Sequence, residues 1–272
     1  MNTTLKVLLP SNGIPYGDSI PKELTVKPIT TRAEKAIYAT VNKDTLVDSI
    51  LKECIVEPIE VKDLVDQDKL ELVRCIRMLT YGHNYKVEVY CANGHKHESG
   101  KETFELEMDL RKVDVAYLEK KDNEDVLSRE VELEMSGVKI GFSLLSGELR
   151  EQAREYAFAE SVRAKTSIED EIDYYIIALA ISSINGDTRM SYFKKRDWLL
   201  DNLPVYDFSQ LKEAYSELEA SFGIVQPFEV VCTECKHINK MRLPQTKEFF
   251  RPKYRDGRGK EISKEVLAVC SR

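Results

Sequence analysis

The sequence lacks the long apolar segments that anchor a chain in a membrane or direct it to secretion. Its longest apolar run, residues 174–181, is much shorter than the roughly 20 residues that a membrane-spanning helix requires. The first residues contain no apolar segment of the kind found in signal peptides, so no such peptide is predicted. We therefore expect a protein that stays in the cytosol, where its thiols remain reduced.

An excess of positive charge is also missing. The formal net charge is −7 and the sequence pI is near 5.4. A protein that binds nucleic acid through the phosphate backbone presents a basic face that neutralises the phosphates. The charge balance therefore argues against a general nucleic-acid-binding protein.

The chain contains none of the common catalytic motifs. It has no His-Glu-x-x-His pair for a catalytic zinc, no glycine-rich phosphate loop and no nucleophile elbow. Four acidic residues cluster at 169–173, but carboxylates in the first turn of a helix usually only complement the helix dipole. The sequence thus predicts a protein that is not an enzyme.

Metal-ligating residue types are few, and they are concentrated in two short segments. There are six cysteines and four histidines in the chain. The segment CTECKH at 232–237 carries Cys232 and Cys235 in a Cys-x-x-Cys spacing, which directs two thiolates at one point and supplies half of a tetrahedral zinc site. The segment CANGHKH at 91–97 begins with Cys91 but has Gly94 where the second cysteine would stand. His95 follows directly, so this segment can supply the other half.

Each of the two segments follows an apolar run that is typical of a strand, VEVY before Cys91 and FEVV before Cys232. We interpret the segments as the two turns, or knuckles, of a zinc ribbon. The prediction is one structural Zn²⁺ per chain, held by Cys91, His95, Cys232 and Cys235. His97 is the alternative fourth ligand. The competing interpretations are buried cysteines without metal and a redox dithiol, although a redox Cys-x-x-Cys normally precedes a helix and a strand-like run follows here.

Periodicity along the chain predicts an α+β fold. A capping box at 31–34 and apolar residues at helical spacing predict helices before the first knuckle. Alternation at 103–110 and 130–135, followed by a Ser136-Gly137 turn, predicts antiparallel strands. The helical period returns after Ser146, which is predicted to cap the helix that follows, and a further helix is expected to run from 172 to 184.

These patterns divide the chain into five predicted segments. They are an extended N-terminal arm (1–30), an N-terminal helical segment (31–85), the first half of a zinc-ribbon-like antiparallel β-domain (86–145), a helical insertion between the two knuckles (146–223), and the second half of the ribbon domain with the C-terminal tail (224–272). The arm is interpreted either as a surface strand of its own domain or as a strand added to a neighbour's sheet. Phe249 and Phe250 are expected to anchor the tail on a partner protein.

The order of several short motifs resembles the baseplate hub and hub-assembly proteins of T4-like contractile-tailed bacteriophages. The motifs are LPSNG at 9–13 with Tyr16, LTYG at 79–82 with Tyr85, the two knuckles, and Leu243 with the Phe-Phe pair at 249–250. They cover roughly residues 5–95 and 225–254. The family pattern has paired cysteines in its knuckles, and this chain departs from it at Gly94.

The resemblance implies a non-enzymatic structural or assembly component of the hub region of a tail baseplate. It further implies contacts with other baseplate and tail proteins, assembly in the host cytoplasm and a place in the virion, with no small-molecule substrate and no membrane. A zinc-ribbon protein that binds nucleic acid or assists transcription is the alternative, and a metallo-enzyme is a third class.

Overall fold

The computed structural model describes residues 4–39, 46–94, 96, 100, 102–120, 125–244 and 247–250. The chain forms two compact units. Unit 1 consists of Met1–Val61, Gln67–Tyr117 and Phe222–Arg272, and unit 2 of Lys62–Asp66 and Leu118–Ser221. Within the described ranges, none of the helices has the length and apolar character that crossing a membrane requires.

Helices and small antiparallel sheets make up both units, so the predicted α+β class is confirmed. The helices are α1 (Thr31–Ala39), α2 (Leu46–Cys54), α3 (Asp66–Tyr81), α4 (Gly147–Ala164), α5 (Ile168–Ala180), α6 (Tyr192–Asn202), α7 (Val205–Glu219) and α8 (Lys247–Phe250). The strands are β1 (Leu5–Leu8), β2 (Glu23–Val26), β3 (Asn84–Tyr90), β4 (Thr103–Asp109), β5 (Val115–Ala116), β6 (Ser128–Glu132), β7 (Lys139–Ser143), β8 (Ile181–Ile184), β9 (Gly223–Ile224), β10 (Phe228–Val231) and β11 (Ile238–Met241). The boundaries of the five segments given above stay a prediction.

The N-terminal residues form a hairpin in unit 1. Strand β1 pairs antiparallel with β2, and the side chains of Leu5, Val7 and Leu24 are buried. Because alternate residues of a strand face the same side, this pairing gives the hairpin one apolar face that packs into the core. The strand predicted at the start of the chain is therefore a strand of its own domain.

A buried carboxylate fixes the loop that follows β1. Asp68, on α3, accepts hydrogen bonds from the backbone N–H of Ser11 at 2.9 Å, from the Ser11 hydroxyl at 2.5 Å and from the Tyr16 hydroxyl at 2.5 Å. A carboxylate without exposure to water is tolerated only when such donors replace its hydration. The LPSNG motif and Tyr16 thus have a structural role in closing the hairpin onto α3.

Helix α3 is the central helix of unit 1, since every residue from 68 to 79 is buried. The apolar spacing predicts this helix over residues 69–79, and the observed helix extends beyond that range at both ends. One ion pair of α3 lies inside the core: Arg74 makes two hydrogen bonds to Glu71, at 2.8 and 2.6 Å, and a third to the Leu110 carbonyl at 2.5 Å. Such saturation of a buried ion pair is what makes it compatible with a low-dielectric interior. The cap of α1 also differs from the predicted capping box at 31–34. The hydroxyl oxygen of Thr30 accepts a hydrogen bond from the backbone N–H of Ala33.

The C-terminal aromatic pair lies in the core of unit 1. Phe249 and Phe250 are both fully buried, and the Phe249 ring meets the Tyr85 ring edge-on with centroids 5.0 Å apart. The guanidinium carbon of Arg77 lies 5.7 Å from the centroid of the Phe249 ring. The expectation that this pair anchors the tail on a partner protein is therefore wrong. A short apolar pair looks the same in sequence whether it fills its own core or a partner's pocket.

Unit 2 combines a three-stranded sheet with α4, α5, α6 and α7. The strand order is β6-β7-β8, all antiparallel, and its predicted turn is confirmed, with Gly137 at a φ of 67°. The hydroxyl of Ser146 caps α4, as the sequence indicates. The prediction that a helix reaches residue 184 is wrong at the C-terminal end of that helix, which is α5. It stops at Ala180, and the residues Ile181–Ile184 pair with β7, because the edge of β7 supplies backbone hydrogen bonds and the two β-branched isoleucines favour a strand.

Candidate metal centre

Two hairpins of unit 1 carry the knuckles. Strand β3 pairs with β4 over its whole length, from Asn84 opposite Asp109 to Tyr90 opposite Thr103, and Cys91 follows β3 directly. Strand β10 pairs with β11, and the Cys-x-x-Cys turn joins them. The strands predicted before each knuckle are thus confirmed.

The structure brings three of the four predicted ligands together. The sulfur atoms of Cys91, Cys232 and Cys235 all lie within 4.8 Å of one another, and those of Cys91 and Cys235 are 3.5 Å apart. His95 and its alternative His97 lie outside the described residues, so the fourth ligand stays a prediction. None of the described cysteines forms a disulfide bond.

Local backbone geometry explains how each turn presents its thiols. In the second knuckle the N–H of Cys232 donates to the carbonyl of His237 at 2.9 Å, and Lys236 adopts a left-handed φ of 62°. In the first knuckle the N–H of Gly94 donates to the carbonyl of Cys91 at 3.0 Å, and Gly94 itself has a φ of 63°. Glycine enters this conformation without steric cost, which accounts for its presence in the turn.

The ribbon hairpins, β3–β4 and β10–β11, bury an apolar cluster that includes the sulfur ligands. The buried members of this cluster are Val89, Cys91, Phe104, Val230 and Cys232. Cys235 is only partly buried. Two thiols therefore belong to a packed core that fixes their position, while the third faces the surface and leaves the cluster accessible from one side.

Hydrogen bonds to sulfur act on the protonation of two of these thiols. Burial raises the pKa of Cys91, and a hydrogen bond from the backbone N–H of Asn93 partly offsets that effect. The pKa of Cys235 is lowered, chiefly because the backbone N–H of His237 donates to its sulfur. Backbone N–H groups directed at sulfur stabilise the thiolate form, which is the form that binds a metal.

The donor set fits a tetrahedral metal ion. Zinc–sulfur bonds of about 2.3 Å in a tetrahedron place the sulfur atoms about 3.8 Å apart. The observed separations are compatible with that geometry. The three cysteines could therefore hold a metal ion, and thiolate ligands favour zinc, copper(I) or iron–sulfur centres over magnesium or calcium.

Sequence reasoning missed a buried asparagine beside the cluster. Asn239, on β11, is only 3% exposed, and its side-chain oxygen accepts the N–H of Ala92 at 2.8 Å. Its side-chain nitrogen donates to the carbonyl of His237 at 3.1 Å. Nothing in the sequence marks this position, because a single asparagine in a short strand has no diagnostic spacing.

The chain matches the family model described as T4 bacteriophage base plate protein over residues 1–251. Because the match covers most of the sequence, the chain belongs to this family of T4-like phage baseplate proteins. It includes residues of both units, and so extends across the helical section that carries none of the recognised motifs. Neither the curated proteins nor the solved structures contain a significant match to the chain.

Proposed function

We propose that this protein is a non-enzymatic structural or assembly component of the hub region of a phage tail baseplate. The observation that carries the proposal is the family match over residues 1–251. The hub assignment is supported by the motif order described above, from LPSNG at the N-terminus to the Phe-Phe pair at 249–250. The structural roles found for Ser11, Tyr16 and Phe249 explain why these motifs belong to a stable scaffold.

The second part of the proposal is a structural Zn²⁺ bound by Cys91, Cys232, Cys235 and His95. Its support is that three sulfur atoms from two distant segments of the chain lie close together. Cys91 and Cys235, for example, are 144 residues apart in the sequence. Zinc with four protein ligands has no open position for substrate or water, so such an ion stabilises the fold and performs no chemistry. Its effect would be to join the ribbon hairpins at their knuckle ends.

Contacts with other baseplate and tail proteins follow from this role, as does a location in the virion tail. The acidic character of the chain, with a net charge of −7, is consistent with partners that are proteins rather than nucleic acid. Small-molecule substrates and membranes have no part in the proposed function.

The experiment that tests the proposed role uses a phage with an amber mutation in the gene for this chain, grown in suppressor and non-suppressor hosts. Electron microscopy of the non-suppressor lysate should show heads without complete tails, because a missing hub component stops baseplate assembly. Mass spectrometry of purified wild-type baseplates then separates a permanent subunit from a transient assembly factor. Complete, infectious tails without the chain would contradict the proposal, and salt-sensitive retention on DNA would favour the nucleic-acid alternative.

A further inference from the structure

We infer that Asn239 and Asn93 form a reciprocal clasp between the two knuckles and position the three cysteines for metal binding. This inference rests on the proposed metal site. The clasp consists of a hydrogen bond from the first knuckle to a side chain of the second hairpin, and another from a side chain of the first knuckle to a sulfur of the second.

The first half of the clasp is the Asn239 carboxamide. Its oxygen accepts the N–H of Ala92, the residue after Cys91, and its nitrogen donates to the carbonyl of His237. That same carbonyl accepts the N–H of Cys232 at 2.9 Å. A continuous path of hydrogen bonds therefore connects the backbone beside Cys91 with the backbone of Cys232.

Burial makes this half of the clasp specific. Asn239 is opposite Val230 in the β10–β11 pairing, and Val230 belongs to the apolar cluster beneath the sulfurs. A carboxamide in such surroundings destabilises the fold unless its polar atoms are paired, at a cost of about 1–3 kcal/mol. Here both the oxygen and the nitrogen are paired, and the bond to Ala92 forms only when the first knuckle lies against β11.

The second half of the clasp runs in the opposite direction. A side-chain hydrogen bond from Asn93, in the first knuckle, is one of the contacts that lower the pKa of Cys235 in the second. Asn93 is exposed, so its side chain contributes little to the packing of unit 1. Each of the two hairpins therefore provides a side chain that contacts the other.

The consequence is a preorganised site. Without the clasp, a metal ion would have to spend part of its binding free energy on ordering the first knuckle against the second. With the clasp in place, the three sulfurs lie within 4.8 Å of one another, which is a separation that a single ion can bridge. Partners that orient metal ligands typically affect metal affinity by about 10–100-fold when they are removed.

The test measures metal affinity in the full-length protein. Co²⁺ is titrated first, because its thiolate charge-transfer and d–d absorption bands report ligand number and symmetry, and Zn²⁺ affinity is then obtained by competition with a chromophoric chelator. The variants are Asn239→Ala and Asn93→Ala. The matched control is Gln210→Ala, which removes a carboxamide bond to the backbone N–H of Glu134 in unit 2.

We expect both asparagine variants to bind Co²⁺ and Zn²⁺ about 10–100-fold more weakly, with altered Co²⁺ bands, while the control matches the wild type. The melting temperature of metal-free Asn93→Ala should stay close to that of the wild type. If Asn93 had only a structural role, weaker metal binding would be accompanied by a lower melting temperature. If Asn239→Ala does not fold, Asn93→Ala decides the question alone. Wild-type affinity and unchanged Co²⁺ bands in the folded variants would overturn the clasp but leave the metal site standing. Failure of the wild type to bind either ion would overturn the metal site itself.

Discussion

Truncating Phe249 tests whether the C-terminal residues belong to the core of unit 1. The Phe249 side chain has no exposed surface, and it contacts Tyr85, Phe250 and Arg77. Replacing a fully buried phenylalanine by alanine typically costs about 3–5 kcal/mol. The lost edge-to-face contacts contribute about 0.5–1.5 kcal/mol each, and part of this contribution is already contained in the typical cost of the Phe→Ala replacement. We therefore expect Phe249→Ala to reduce the free energy of unfolding by about 4 kcal/mol.

Two assays measure this loss. Urea unfolding followed by far-UV circular dichroism gives the midpoint and slope. Hydrogen exchange of the amides in α3 should show protection reduced about a thousand-fold, because each 1.4 kcal/mol corresponds to a factor of about ten. Phe158→Ala is the control, since Phe158 is 62% exposed and the chemical change is identical. If the two variants unfold within about 1 kcal/mol of each other, Phe249 is not a core residue and the reasoning is refuted.

Three further predictions concern unit 1. Deleting residues 1–20 removes β1 with the buried Leu5, so we expect loss of circular dichroism signal and rapid proteolysis, and a stable truncated protein would argue against the hairpin. Burial raises the pKa of Cys54 to about 12, so this thiol should react with iodoacetamide only after unfolding, as mass spectrometry would reveal; fast native labelling would disprove its burial. Burial also raises the pKa of Asp68 above its ordinary value of 3.8, so the stability that Asp68 contributes is complete below that value and decreases as the pH rises towards the folded pKa. Urea titrations between about pH 4 and pH 7 should show the wild type losing stability relative to Asp68→Asn, and a constant difference would contradict this.

Local signals in the sequence predicted the knuckle strands and the cap of α4 because these depend on neighbouring residues. The Cys-x-x-Cys turn and the strands before each knuckle are of this kind, and so is the Ser136-Gly137 turn. Spacing alone could also pair Cys91 with the distant Cys232, since few other residues in the chain ligate soft metals.

Features that depend on distant partners could not be predicted in this way. Strand β8 exists because β7 offers a free edge, and the local pattern of Ile181–Ile184 continues the preceding helix. Phe249 is buried because Tyr85 and Arg77, which lie in a distant segment of unit 1, form its environment. Asn239 has its role because its side chain accepts a hydrogen bond from the backbone N–H of Ala92. Ala92 is far from β11 in the sequence, so the residues around Asn239 do not indicate this contact.

The most direct test of the proposed zinc site is the metal content of the purified full-length protein. The chain is purified without chelators and analysed by inductively coupled plasma mass spectrometry, together with the variants Cys232→Ser and Cys54→Ser. We predict close to one equivalent of zinc in the wild type and in Cys54→Ser, and almost none in Cys232→Ser, which should also be strongly destabilised because metal binding contributes directly to folding. Less than about a tenth of an equivalent in the wild type, or zinc retained in Cys232→Ser, would contradict the account.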